Sequence, residues 1–213
     1  VEFQGKQGII DQKGGYVIEP EFSLIKFDPP YRWLIGEQGD STFLFDHDGH
    51  VIWRLANSSF IETNGNLMSI RKDRQYRLYE LSSLQPLPGP AYAQMRQLGN
   101  QFWACKIDSL YWILDDKGQK ISAFGYNQVN QYADGYAAFS RTGNWGYLDT
   151  LGHEATAPLF GLAWDFREGF ARAVFKEGLA YINRKLQLAF YPPTGSIDLR
   201  DFSEGLAPVR FTR

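Results

Sequence analysis

The segments GIID, FLFD, RLYE, WILD, GYLD and AYIN end at Asp11, Asp46, Glu80, Asp115, Asp149 and Asn183, in steps of 35, 34, 35, 34 and 34 residues. An acidic or amide residue behind an apolar run, recurring at so constant a spacing, is the signature of a repeat architecture. It constrains the chain more than composition can. A unit of this length is one supersecondary element that cannot bury its own apolar face, so neighbouring copies must stack.

Other residues move with the frame. Gly follows the anchor by three at Gly14, Gly49, Gly118 and Gly152, and Pro follows by nine at Pro20, Pro158 and Pro192. An acidic-Gly pair precedes the anchor at Asp134-Gly135 and Glu168-Gly169, and Glu204-Gly205 has the same role near the C-terminus. Behind these pairs run GYAAFSRTG, GFARAVFKE and GLAPVRFTR, which alternate as half-buried strands do. The unit reads as three strands. A tract after the acidic-Gly pair leads through a turn (Arg141-Thr142-Gly143, or Lys6-Gln7-Gly8 in the first copy) into the anchor strand. The Asp-x-x-Gly segments DQKG, DDKG and DTLG then form a tight turn, in which Asp caps the backbone and Gly supplies positive φ. The third strand (YVIEP, KISAF) ends at Pro, and a Phe-x-x-Ala-x-x-Phe loop, clearest in LFGLAWDF, returns to the next copy. The best helical candidate, Ala91 to Leu98, is too short to stand without tertiary support.

The expected fold class is therefore all-β: six three-stranded repeats in a single domain, residues 1–213, whose ends are truncated. Val1-Glu2-Phe3 fills the same slot as Val209-Arg210-Phe211, which suits a propeller-like closed ring; an open β-solenoid of hairpins is the alternative. The chain starts at Val1 without Met or a signal-like apolar segment, as a processed form or excised fragment would.

Aromatic residues make up 16% of the chain, which favours strands. The formal net charge of −2 and the lack of a long basic run speak against a nucleic-acid partner. Cys105 is alone, so no intramolecular disulfide is possible, and QFWACKI reads it as a small buried hydrophobe. No apolar run is long enough for a transmembrane helix.

The stretch NWGYLD, with DFREGFARAV and DFSEGLAPV, resembles the WG-repeat family, named for its Trp-Gly pair. The copy from Asn144 to Phe175 follows the family pattern closely and QGIIDQKGGYVIEPEF moderately, whereas the copies at Asp46, Glu80 and Asp115 keep mainly the spacing. The resemblance implies bacterial origin and a binding or envelope-associated role, with periplasm or cell surface favoured over cytoplasm. It supplies no catalytic residues.

The residues themselves offer little chemistry. DHDGH, Asp46 to His50, is the most metal-like stretch, but its sister turns form without such a cluster, so no metal site is assigned. The three histidines, His47, His50 and His153, lie outside any nucleophilic arrangement, and nothing in the spacing pairs His153 with Cys105. Glu168 and Glu204 read as turn residues, not as paired acid catalysts. No phosphate-cradling motif occurs, and no cofactor is implied. Asn57-Ser58-Ser59 matches a glycosylation sequon by chance, and PLPGP, Pro86 to Pro90, reads as a rigid local loop.

Function is then expected at positions that vary between copies. The residue after the loop Ala is Lys26, Asn130, Trp164 or Arg200, and an exposed Trp164 beside Arg167 and Arg200 would suit a partner contact. The alternative is a Trp164 folded back onto its own repeat. The expectation is a non-enzymatic, monomeric protein-binding scaffold, envelope-associated or inhibitory, with a carbohydrate-binding module as the second reading.

Overall fold

The computed structural model describes residues 1–28, 33–56 and 58–211, with side-chain surroundings left out at Asp28 and at 58–61. Asn57 of the sequon lies outside the described residues. Among those residues there is no helix, and the all-β expectation holds. The chain forms two compact units, Val1–Gln94 and Met95–Arg213.

The first unit holds three antiparallel sheets. The first is β1 (Glu2–Phe3), β2 (Lys6–Ile10) and β3 (Tyr16–Phe22), and the second is β4 (Leu24–Asp28), β5 (Trp33–Gln38), β6 (Ser41–Phe45) and β7 (Val51–Ala56). The third is β8 (Ser58–Asn64), β9 (Leu67–Lys72) and β10 (Gln75–Glu80). Phe22, Leu34, Phe43 and Phe45 form one core and Ile35, Leu44, Met68 and Ile70 another.

The second unit continues the pattern. Its first two sheets are β11 (Met95–Gly99), β12 (Phe102–Ile107), β13 (Leu110–Leu114) and then β14 (Gln128–Val129), β15 (Ala137–Arg141), β16 (Asn144–Leu148). The next is β17 (Leu162–Ala163), β18 (Phe170–Phe175), β19 (Gly178–Asn183) and β20 (Leu188–Phe190), followed by the pair β21 (Ser196–Leu199) and β22 (Val209–Phe211). Among the described residues the sheets are separate, and no strand pairing closes them into one ring.

The anchor strands are β2, β6, β10, β13, β16 and β19, so every period found in the sequence is one sheet. Three details of the unit change. The Phe-x-x-Ala-x-x-Phe segment is not only loop: β17 pairs with β18 through Leu162 opposite Val174 and Ala163 opposite Ala173, making the fullest sheets four-stranded. The third strand does not stop at Pro, because β3 runs through Pro20 on a sheet edge where the register with β2 shifts. An edge with a bulge is where a residue without an N–H does least harm. KISAF forms no strand and keeps one isolated bridge, at Lys120, with a second just beyond it at Tyr126. In that copy Ser122 Oγ accepts the Ile113 amide at 3.0 Å, and in the next Thr156 Oγ1 accepts the Tyr147 amide at 3.1 Å. A hydroxyl thus replaces the missing ladder partner.

One turn and the helical candidate also differ. In the first copy the hairpin turn is Gln4-Gly5, with φ of 50° and 73°, and Lys6 to Gly8 already lie in β2. The helical candidate Ala91 to Leu98 instead contributes Met95 to Leu98 to β11, where Met95 pairs with Cys105 across the sheet.

Candidate functional site

Most polar residues in the frame have structural partners. Asp149 Oδ1 accepts the amides of Leu151 and His153, both at 2.9 Å, while its own amide donates to the His153 carbonyl at 2.8 Å. Asp11, Asp46, Asp115 and Asn183 make the same two side-chain contacts, at 2.7 to 3.3 Å. This is the cap expected from the spacing, since a short side chain can reach the amide two residues on. Glu80 is one methylene longer and does otherwise. Its turn closes from the Glu80 amide to the Gln85 carbonyl at 3.0 Å, and its Oε2 accepts from Ser83 Oγ at 2.8 Å.

The DHDGH stretch is one of these caps. Asp46, Asp48 and His50 bring one ligand atom each within 4.8 Å of one another, and His50 Nδ1 lies 3.1 Å from Asp46 Oδ2. Desolvation pushes the Asp46 carboxyl up, but hydrogen bonds from His50 and Asp48 more than offset it and hold its pKa below the usual carboxylate value. The turn has the same form in copies without histidine, so the folding role accounts for the geometry.

The acidic-Gly pairs do more than turn the chain. Asp134-Gly135, Glu168-Gly169 and Glu204-Gly205 all have positive φ at both residues, the conformation of a two-residue hairpin turn. The first two acids also reach the next pair along. Asp134 Oδ2 accepts the Gly169 amide at 2.8 Å, and the two Glu168 carboxylate oxygens accept the Glu204 and Gly205 amides at 2.7 and 2.8 Å. Sequence reasoning assigned these residues to turns and missed their long-range contacts.

The variable positions fall into two groups. Lys26 is exposed in the middle of β4, opposite Ile35, in the first unit. Asn130, Trp164 and Arg200 lie in the second and are fixed alike: their amides donate to the carbonyls of Ala138, Arg172 and Pro208 at 2.7, 3.1 and 3.0 Å. The side chains then diverge. Asn130 Nδ2 donates to Asp165 Oδ1 at 2.8 Å. Trp164 is half-buried, with the Arg172 guanidinium 4.6 Å from a ring centroid, and Arg172 Nε donates to Asp201 Oδ1 at 2.8 Å. Arg200 is exposed and pairs with Asp198 at 3.1 Å. Adjacent residues thus link these positions into a polar strip that includes one large aromatic. Arg167 is exposed beside the Glu168-Gly169 turn, with its main chain bonded to Phe170.

Buried tyrosines join successive sheets beneath that strip. Tyr147 Oη donates to the Trp164 carbonyl and Tyr181 Oη to the Arg200 carbonyl, both at 2.7 Å. Burial is the main influence raising the Tyr147 pKa, with Asp165 and Asp201 adding to it.

The structure also explains the Trp-Gly pair. A β-carbon on Gly146 would stand 2.8 Å from the Phe139 ring and 2.9 Å from the Ala157 carbonyl. One on Gly8 would stand 2.6 Å from the Ile18 carbonyl. Both glycines are required by close approach, not by φ, and the neighbouring Trp145 bonds through its backbone to Phe160 in both directions. The WG containing repeat model matches residues 8–28 and 145–179, the two copies in which these glycines sit. Those two stretches are WG repeats.

The other copies keep the WG-repeat spacing with different residues in the glycine slot: Phe43, Arg77, Trp112 and Ala180. In three of them the cross-strand partner is small, since Phe43 faces Gly36, Trp112 faces Cys105 and Ala180 faces Ala173, whereas Arg77 faces Ile70. No curated protein matches the chain. Among solved structures, it is similar to a eukaryotic initiation factor at 10% identity and a TM-score of 0.54, over 90% of this chain and 62% of that one. Kluyveromyces lactis Hsv2p is similar at 14% identity and a TM-score of 0.45, over 87% of this chain and 70% of that one. The structures matched are β-propellers, and the likeness to the initiation factor is one of fold. The chain spans less than two thirds of that structure's length.

One surface lay outside these expectations. Arg71, Lys72, Arg74 and Arg77 crowd the β9–β10 hairpin and are all exposed. A cleft of about 350 Å³ opens there, lined by Ile70, Lys72, Asp73, Gln75, Arg77, Tyr79, Pro86 and Ala91, so that two cations and one carboxylate face it. The signal was present in RKDRQYR, but a chain-wide charge of −2 hides a local excess.

Proposed function

We propose that this chain is a non-enzymatic scaffold that binds a partner protein through side chains varying between repeats. The observation carrying this reading is the fixed backbone at Asn130, Trp164 and Arg200, each bonded to its neighbouring strand in the same way while its side chain differs. Repeat proteins use such positions to vary a surface without disturbing the frame. The acids and histidines considered for catalysis support the same reading, because Asp46 and Asp149 cap turns and Glu168 fastens a neighbouring one. Trp164 has the area and rigidity of a contact anchor, and Arg200 the charge and reach. Arg167 and Lys26 are exposed positions of the same proposal.

The proposal includes one domain of six repeats closed as a ring, which a solution scattering profile tests by its departure from that of a rod. Partner capture from the source organism, with wild-type chain compared against Trp164→Ala and Arg200→Ala, tests the binding reading. Loss of a specific partner in variants with unchanged melting supports it. Equal capture by all three would sink it, and a glycan array run beside it tests whether the ligand is a carbohydrate.

A further inference from the structure

The β9–β10 hairpin carries cations that folding leaves uncommitted. In the second unit Arg141 pairs with Glu154, Arg172 with Asp201, Arg184 with Asp134 and Arg200 with Asp198. Among the described residues no carboxylate forms an ion pair with Arg71, Lys72, Arg74 or Arg77; Arg71 alone has an aromatic partner, 6.0 Å from the centroid of Tyr76. Register places Lys72 opposite Gln75 and Ile70 opposite Arg77, so Lys72 and Arg77 share one face as diagonal neighbours. Like charges so placed repel and contribute nothing to the sheet.

That face is also hollow. Ile70 is buried and Tyr79 packs against the Ile35, Leu44 and Met68 core, so the floor of the cleft is apolar, while its rim sets Lys72 and Arg77 against the single carboxylate of Asp73. The outer wall is the proline-rich loop, tied to β10 by bridges at Pro86 and Tyr92. Between those bridges the loop forms no continuous strand with β10. The cleft volume of about 350 Å³ is at the lower end of what ligand sites occupy.

We infer that this cleft docks an acidic, extended segment of a partner protein, with carboxylates on Lys72 and Arg77 and one apolar side chain on Ile70 and Tyr79. The inference rests on the protein-binding reading above and names the partner's chemistry. Charge complementarity carries it: Lys72 and Arg77 outnumber the one lining carboxylate, Asp73, and neither forms an ion pair among the described residues, so an acidic side chain of a partner supplies what the sheet does not. A nucleic acid fits less well. Among the described residues the one aromatic lining the cleft, Tyr79, is half-buried against Trp53, with ring centroids 5.6 Å apart, and offers no open stacking platform.

The test is fluorescence anisotropy with the whole chain and a labelled glutamate-rich peptide carrying a central leucine. Binding should weaken with salt and fall at least about tenfold in Arg77→Ala and in Lys72→Glu, both at exposed positions, while Arg77→Lys retains most of it. Melting of each variant separates lost binding from lost folding, and Lys176→Ala, at an exposed position of the other unit, should bind as wild type. Replacing the leucine by serine should weaken binding if the apolar floor is used. No binding, binding unchanged in both cleft variants, or equal displacement by a single-stranded oligonucleotide would overturn the inference. None of these results bears on Trp164 and Arg200, so the broader reading stands or falls separately.

Discussion

Phe139 on β15 stands directly opposite Gly146 on β16, and its ring occupies the space that a β-carbon at position 146 would need. The Trp-Gly pair is therefore half of a cross-strand exchange of volume. Gly146→Ala should lower stability by about 1–3 kcal/mol, the usual cost of overpacking. Combined with Phe139→Leu it should cost less than the sum of the two, because the smaller side chain removes one of the two clashes. A denaturant-melt double-mutant cycle reads the coupling. Strict additivity would mean that the Ala157 carbonyl, not the ring, enforces glycine.

The anchor turns predict a distinction between two similar substitutions. Asp149→Ala removes the acceptor for two amides and should cost about 1–2 kcal/mol, by analogy with other side-chain caps. Asp149→Asn should be close to neutral, since Asn183 makes the same contacts in its own turn. Thermal melts of the two variants check this, and equal losses would show that charge, not geometry, carries the cap.

Glu168 should act at a distance in sequence. Glu168→Ala leaves the amides of Glu204 and Gly205 without their carboxylate, so hydrogen exchange should accelerate at those two sites ahead of the rest of the chain. Exchange that is faster everywhere, with no local excess, would show a role in global stability instead.

The buried tyrosines set an alkaline limit. Burial raises the pKa of Tyr126, Tyr132, Tyr147 and Tyr181, with nearby carboxylates contributing. The unfolded chain releases these protons from pH about 10, whereas the folded chain holds them, so stability is unaffected below that pH and falls above it. The slope approaches about 1.4 kcal/mol per pH unit for each tyrosine that stays protonated only when folded. Tyr147→Phe loses the hydrogen bond to Trp164 and should cost about 1 kcal/mol at neutral pH, yet decline less steeply in alkali. Circular dichroism followed across alkaline pH, with tyrosinate absorbance, decides it.

The frame was legible in the sequence because each anchor acts locally: Asp149 caps amides two and four residues on, and that spacing is written in the chain. What was hidden depends on partners brought near only by folding. Leu162 and Ala163 form a strand too short to display an alternating pattern, and only their pairing with β18 reveals it. Met95 to Leu98 read as helical by composition, but pairing with β12 decides their conformation. Trp164 was visible as the odd aromatic in its slot, whereas the guanidinium over its ring comes from Arg172 on the neighbouring strand. The hairpin cations were visible one by one, but the cleft beside them needs the loop at Pro86 to be in place.

The contact from Glu168 to Glu204-Gly205 bears on how such a chain can lengthen. Acceptor and donor are the same dipeptide in successive copies, the acid of one meeting the amides of the next. A tandem duplication of one whole period, cut at any point, therefore carries both halves of the fastening with it. No new residue has to arise for an added copy to attach, so mutation is left free to act on the side chains the surface displays.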